Sequence, residues 1–202
     1  MSEQIHNIRE GHADLPGVRI WYTDTGDSGE PVVFLHAATG SSRVWEYQLP
    51  AFTEAGYRVI AYDRRGYGRT VVNPGAQPGV GSDDLRALVD FLGIGRFHLL
   101  GTAAGGGTAL DFALSFPQRL LSLVVANALG SVQDEEYQEM GRRLRPAQFN
   151  SLPPDIRELG PSYRAANPAG SQRWIDLEHT SRAPCVCEPM FRRILNFFNK
   201  PF

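Results

Sequence analysis

Gly101-Thr102-Ala103-Ala104-Gly105-Gly106-Gly107 is the stretch that decides the fold. The apolar run at 97–100 precedes it, and helical spacing over 103–116, closed by Pro117, follows it, so a strand runs directly into a helix. A strand-to-helix turn this abrupt needs tiny residues two positions before and two after its central residue. Gly101 and Gly105 stand there, around Ala103. A dinucleotide- or phosphate-binding turn is the competing reading of a glycine run. The G-x-G-x-x-G spacing fails at Ala103, no Walker lysine follows, and such turns normally close the first strand rather than the fourth.

Working outward, residues 18–25 alternate apolar and polar and end in the turn Gly26-Asp27-Ser28-Gly29. Val32-Val33-Phe34-Leu35 and residues 57–62 are apolar runs of strands covered on both faces, and residues 121–126 are a fifth run. Between them, Ser41-Ser42 is expected to cap a helix interrupted near Pro50 and stopped at Gly56. Ser82-Asp83-Asp84 is expected to cap a second helix, through Leu85, Leu88, Val89 and Leu92 to a stop at Gly93. Residues 63–81 carry no period and read as loop. The alternation predicts an α/β fold, a doubly wound, mostly parallel sheet with crossover helices on both faces. Past Gly130 the texture turns charged, helical and proline-punctuated, which predicts a helical lid inserted over the active edge of the sheet. The expected division is a core at 1–129 and a lid at 130–202.

Composition sets outer bounds. An apolar fraction of 42%, a charged fraction of 21% and a formal charge of −2 over 202 residues describe one ordinary globular unit, with no electrostatic reason to bind nucleic acid or an anionic membrane. The N-terminus has no apolar signal core and the longest apolar stretch, 120–129, is too short to span a bilayer, so a cytoplasmic protein with a small-molecule partner is expected. Cys185 and Cys187 read as free thiols, and no Cys or His cluster completes a metal site; neither metal nor cofactor is expected.

Two further loops give the turn its meaning. Phe34-Leu35-His36-Ala37-Ala38-Thr39-Gly40 resembles the H-G-x-x-G loop of α/β-hydrolases, with Ala37 at a glycine position, and Tyr62-Asp63-Arg64-Arg65-Gly66-Tyr67-Gly68-Arg69-Thr70 resembles their D-x-R-G-x-G-x-S loop, with threonine last. The turn at 101–105 resembles the G-x-S-x-G nucleophile elbow, with Ala103 at the serine position. Three motifs in order, covering residues 18–128, are similar to the branch holding enol-lactonases, meta-cleavage-product C–C hydrolases and small esterases. The resemblance implies hydrolysis of a small ester, lactone or vinylogous diketone. It places the nucleophile at position 103 and the oxyanion-stabilising N–H groups on Ala38 and Ala104, the latter at a helix N-terminus. His36, Ala37, Thr102 and Trp174 are the candidate substrate contacts, with Tyr163 as a further aromatic. His36 is read chiefly as a brace for its loop, Asp63 and Arg64 as loop pins, and His98 as a strand-edge or satisfied core histidine. Asp134 and Glu135 are read as the solvated start of the lid.

The departures are as informative. Ala103 has no hydroxyl, thiol or carboxylate, so neither serine nor aspartate chemistry is available there, and the side chain of Thr102 leaves the turn in another direction. The resemblance also implies two more strands, carrying an acid and a histidine, that do not appear in these 202 residues. The expectation is a catalytically impaired scaffold that self-associates or takes up a further C-terminal segment. Two other readings stay open: a non-catalytic ligand-binding homologue, and a cofactor-free oxygenase-like member. The alanine itself is compatible with an installed knockout or with a native branch that has given up the covalent step.

Overall fold

In a computed structural model, residues 8–26, 28–128 and 134–182 are described. Cys185, Cys187 and the apolar stretch 191–202 lie outside them. Seven strands form one sheet: β1 (Arg9–Leu15), β2 (Val18–Asp24), β3 (Glu30–Leu35), β4 (Tyr57–Tyr62), β5 (Val71–Val72), β6 (Phe97–Thr102) and β7 (Leu120–Ala126). The order is β1-β2-β4-β3-β6-β7, with β5 paired to β2. The β4–β3, β3–β6 and β6–β7 pairs are parallel, and the β2 pairings are antiparallel. The helices are α1 (Gln48–Glu54), α2 (Gly81–Phe91), α3 (Ala104–Ser115), α4 (Glu135–Leu144), α5 (Pro154–Glu158), α6 (Pro161–Ala166) and α7 (Pro168–His179), with a 3-10 turn at Ser42–Trp45.

The apolar strands are apolar because both faces are covered. Val33, Leu35, Ile60, Tyr62, Phe97 and Leu99 pack with Leu85, Leu88 and Val89 of α2 and Ala109 and Phe112 of α3. Their strand neighbours Val32, Phe34, Val59 and Ala61 point the other way, onto Trp45 and α1. Helices on both faces of a mostly parallel sheet are the doubly wound arrangement expected. Toward β7 the α1 layer gives out: Ser122 is exposed and Val124 is 49% exposed.

One strand is added and three local expectations are corrected. Residues 9–15 form β1, an edge strand joined to β2 through a turn at Pro16-Gly17, with Gly17 at φ +76°. Its seven residues bury only Ala13 fully, so no apolar period announces it. Within 63–81, Val71–Val72 adds a short strand to β2. Ser82 does not cap α2 but lies inside it, buried, its hydroxyl donating to the Asp111 carboxylate on α3. Ser41 caps nothing with its side chain, and the segment after it opens as a 3-10 turn before α1. Asp134, in contrast, is a working cap, its carboxylate accepting the Tyr137 N–H at 2.8 Å at the exposed start of α4.

Candidate active site

Because β3, β4, β6 and β7 are parallel, the loops that follow them gather at one edge of the sheet. Ala103 is the single residue between β6 and α3, at φ +48° and ψ −116°. A residue with a Cβ seldom adopts that conformation, and holding it there costs about 1–3 kcal/mol. The turn is locked from both sides, the Ala103 N–H donating to the Ala126 carbonyl at 3.0 Å and its carbonyl accepting from Gly107 at 3.2 Å.

The glycines around it meet different walls. A Cβ on Gly105 would run into the Leu35 and His36 carbonyl oxygens, the latter at 2.6 Å, so the start of α3 lies against the loop after β3. A Cβ on Gly101 would lie 2.7 Å from the Gly105 carbonyl carbon. This close approach sets the start of α3 against the main chain of Leu35 and His36, and the Ala104 N–H stands at the first position of α3, where no intrahelical acceptor exists.

That loop is held by His36 and Asp63. His36 is fully buried; its Nε2 accepts the Arg64 N–H at 3.0 Å, and Nδ1 lies 2.7 Å from the Ala37 carbonyl, to which it donates. Burial, reinforced by the Arg64 charge and only partly opposed by the Ala37 hydrogen bond, holds its pKa well below the usual histidine value. Both ring nitrogens are committed to main-chain partners, the geometry of a side chain that braces its loop. The Asp63 carboxylate accepts the N–H groups of Ser42 and Arg69, each at 2.8 Å, and meets Arg69 Nε at 3.5 Å. Arg64 lies over the Tyr67 ring at 4.7 Å.

Above this edge lies a cavity of about 800 Å³. Ala37, Thr39 and Gly40 of the loop line it, as do Thr102 from the end of β6 and Tyr163 and Trp174 from α6 and α7. The structure therefore brings Ala37, Thr102 and Trp174 to one cavity, while His36 stays behind the loop. Ala38, Ala103 and Ala104 lie in the adjacent main chain. The helices over the cavity are tied to the core by the Arg173–Glu46 ion pair at 2.7 Å and by the Gly68 N–H donating to the Ser181 carbonyl at 2.7 Å. Sequence reading did not single out Glu46 or Arg173, since nothing in a 127-residue separation signals a pairing.

His98 sits apart, with its ring 2.8 Å from the Ser122 hydroxyl and 3.3 Å from Glu30. It lies near the start of β6, an interior strand paired with β3 and β7, four residues or about 13 Å of strand from Thr102. No described histidine lines the cavity. Among the described residues no cluster of His, Cys, Asp or Glu is suited to a metal ion, and no helix is long and apolar enough to cross a membrane.

Comparison with known proteins agrees with this fold. The family model described as alpha/beta hydrolase fold matches residues 30–172. A 2-hydroxy-6-oxononadienedioate/2-hydroxy-6-oxononatrienedioate hydrolase from Burkholderia vietnamiensis is 39% identical over 164 residues, 78% of this chain and 51% of that protein. A hydrolase of the same name from Paraburkholderia phymatum is 38% identical over 59% of this chain and 42% of its own. The chain thus spans about half the length of the curated relatives it matches. Among solved structures, the enol-lactonase from Burkholderia xenovorans has a TM-score of 0.65 at 20% identity, covering 83% of this chain and 67% of that one. A carboxylesterase study of Nitrososphaera gargenis supplies another at 0.65 and 22%, covering 96% of this chain and 73% of that one. Likeness at these identities speaks for the fold alone.

Proposed function

The chain belongs to the alpha/beta hydrolase fold family, and from that membership we propose that its cavity takes a small ester, lactone or vinylogous diketone above an elbow whose nucleophile position is Ala103. The backbone of Ala103 carries the reading: a non-glycine residue at φ +48° joins the end of β6 to α3 beside the loop at 36–38. Such a turn presents its central side chain to a substrate and leaves the next N–H free for an oxyanion. In this reading the N–H groups of Ala38 and Ala104 polarise the substrate carbonyl, Ala37, Thr102 and Trp174 contact its body, and the helices from 134 onward form the lid. His36 serves by holding the loop.

Alanine at the elbow favours a second role for the same cavity, that of a binding site with no covalent step. A methyl group can accept neither acyl group nor proton, so the chemistry available at position 103 is limited to binding and polarising a carbonyl. The test is incubation of the protein with p-nitrophenyl butanoate. Saturable, reversible binding with unchanged protein mass is expected. A butanoyl group attached to any side chain would show that the covalent centre has been assigned to the wrong place.

A further inference from the structure

The charged groups of the cavity are paired off against each other. Among its described lining residues only Glu46 and Arg173 carry charge. They meet in a two-pronged contact, Arg173 Nε donating to Glu46 Oε1 at 3.2 Å and Nη2 to Oε2 at 2.7 Å. Glu46 directly follows the 3-10 turn and Arg173 lies on α7, so the pair bridges the core and the helices over the cavity. Both residues also line an adjoining cavity of about 320 Å³, which makes the pair a wall between the two. The rest of the lining includes the aromatic rings of Trp45, Tyr163 and Trp174 and the neutral amide of Asn167.

We propose that Glu46 is a specificity determinant: by occupying the guanidinium fork of Arg173 it leaves the cavity neutral, so that the site accepts an uncharged ester or ketone and rejects a carboxylate. This rests on reading the cavity as the small-molecule site. A planar guanidinium is the side chain best shaped to grip a carboxylate through two parallel hydrogen bonds, and here that grip is already taken. An incoming carboxylate would either displace Glu46 or lie beside it, losing its hydration without gaining a counter-charge. An uncharged ester avoids both costs and still buries its apolar part against the rings.

The matched probes are methyl trans-cinnamate and trans-cinnamate, nearly equal in shape and differing by one charge, titrated calorimetrically into the protein, its Glu46→Gln variant and the Glu46→Gln/Arg173→Gln double variant. The native protein should bind the ester at least about tenfold more tightly than the acid. Glu46→Gln, nearly isosteric and at a half-exposed position, should tighten cinnamate roughly tenfold, the scale of one charge-assisted hydrogen bond, while leaving the ester within about threefold. The double variant should lose that gain. Native preference for cinnamate, an unchanged ratio in Glu46→Gln, or a gain that survives in the double variant would overturn the proposal while leaving the cavity assignment standing. Failure of the native protein and both variants to bind either probe would overturn the cavity assignment and this inference with it.

Discussion

Replacing Ala103 by glycine should stabilise the protein, although it removes a methyl group. At φ +48° and ψ −116° a residue with a Cβ is held in a sparsely populated region at a cost of about 1–3 kcal/mol, and glycine escapes that cost. Against this, glycine gives the unfolded chain more freedom, worth about 0.4–1 kcal/mol. Losing one half-buried methyl subtracts a few tenths more, since full burial of such a group is worth about 0.8 kcal/mol. The balance is a gain of about 1 kcal/mol, or a melting temperature about 2–4 °C higher for a chain of this size. Differential scanning calorimetry of the two proteins measures it. Gly105→Ala, which adds a methyl two residues away, makes the contrast. There the new Cβ meets the Leu35 and His36 carbonyls, main-chain atoms that cannot rotate aside, so a loss of about 3 kcal/mol and a fall of roughly 6–12 °C are expected. If Ala103→Gly lowered the melting temperature by more than about 2 °C, the turn would not be strained and the elbow argument would fail.

Three other outcomes follow from the bracing of the site. His36 is neutral and buried, with its pKa depressed, so the unfolded state binds more protons below about pH 6.5. Stability should then fall as pH drops through that value, by up to roughly 1.4 kcal/mol per pH unit until the folded-state pKa is reached. Urea melts between pH 8 and pH 5 should show this slope in the native protein and lose it in His36→Gln. Asp63→Ala removes the acceptor of two main-chain N–H groups and should cost about 3 kcal/mol, read as a lower urea midpoint with an unchanged m-value. Asp84→Asn breaks the buried pair with Arg65, whose Nε and Nη2 lie 2.9 and 2.8 Å from the carboxylate, and should cost about 3–5 kcal/mol in the same assay.

The parts of the fold legible in the sequence are those in which one strong physical demand selects residue type. Strands covered on both faces must be apolar, and β3, β4 and β6 read out as apolar runs for that reason. Close approach of main chains demands glycine, which made the turn at Ala103 visible. The edge strand β1 escaped because a strand that buries one side chain in seven has no need of an apolar pattern; its Pro16-Gly17 turn was the available signal. Ser82 misled because serine beside two aspartates suits a helix cap and also suits a buried hydroxyl facing Asp111, and only the position of α3 selects the second. The loop residues Ala37 and Thr102 came from motif spacing, and Trp174 from its aromatic character. Glu46 and Arg173 were out of reach, because their partnership depends on how α7 lies across the 3-10 turn and both side chains read singly as ordinary surface charges.

The claim that position 103 is the nucleophile position of an elbow is tested most directly by Ala103→Cys, with Cys185 and Cys187 replaced by serine. A thiol at a helix N-terminus has a lowered pKa and needs no separate general base to attack an activated ester. Treated with p-nitrophenyl acetate at pH 7, the variant should release about one equivalent of p-nitrophenol at least roughly tenfold faster than a cysteine in an unstructured peptide. A single acetyl group should map to position 103, while the same protein with Ala103 retained stays unlabelled. A thiol at 103 that reacts no faster than the peptide, or acetylation that maps elsewhere, would contradict the assignment.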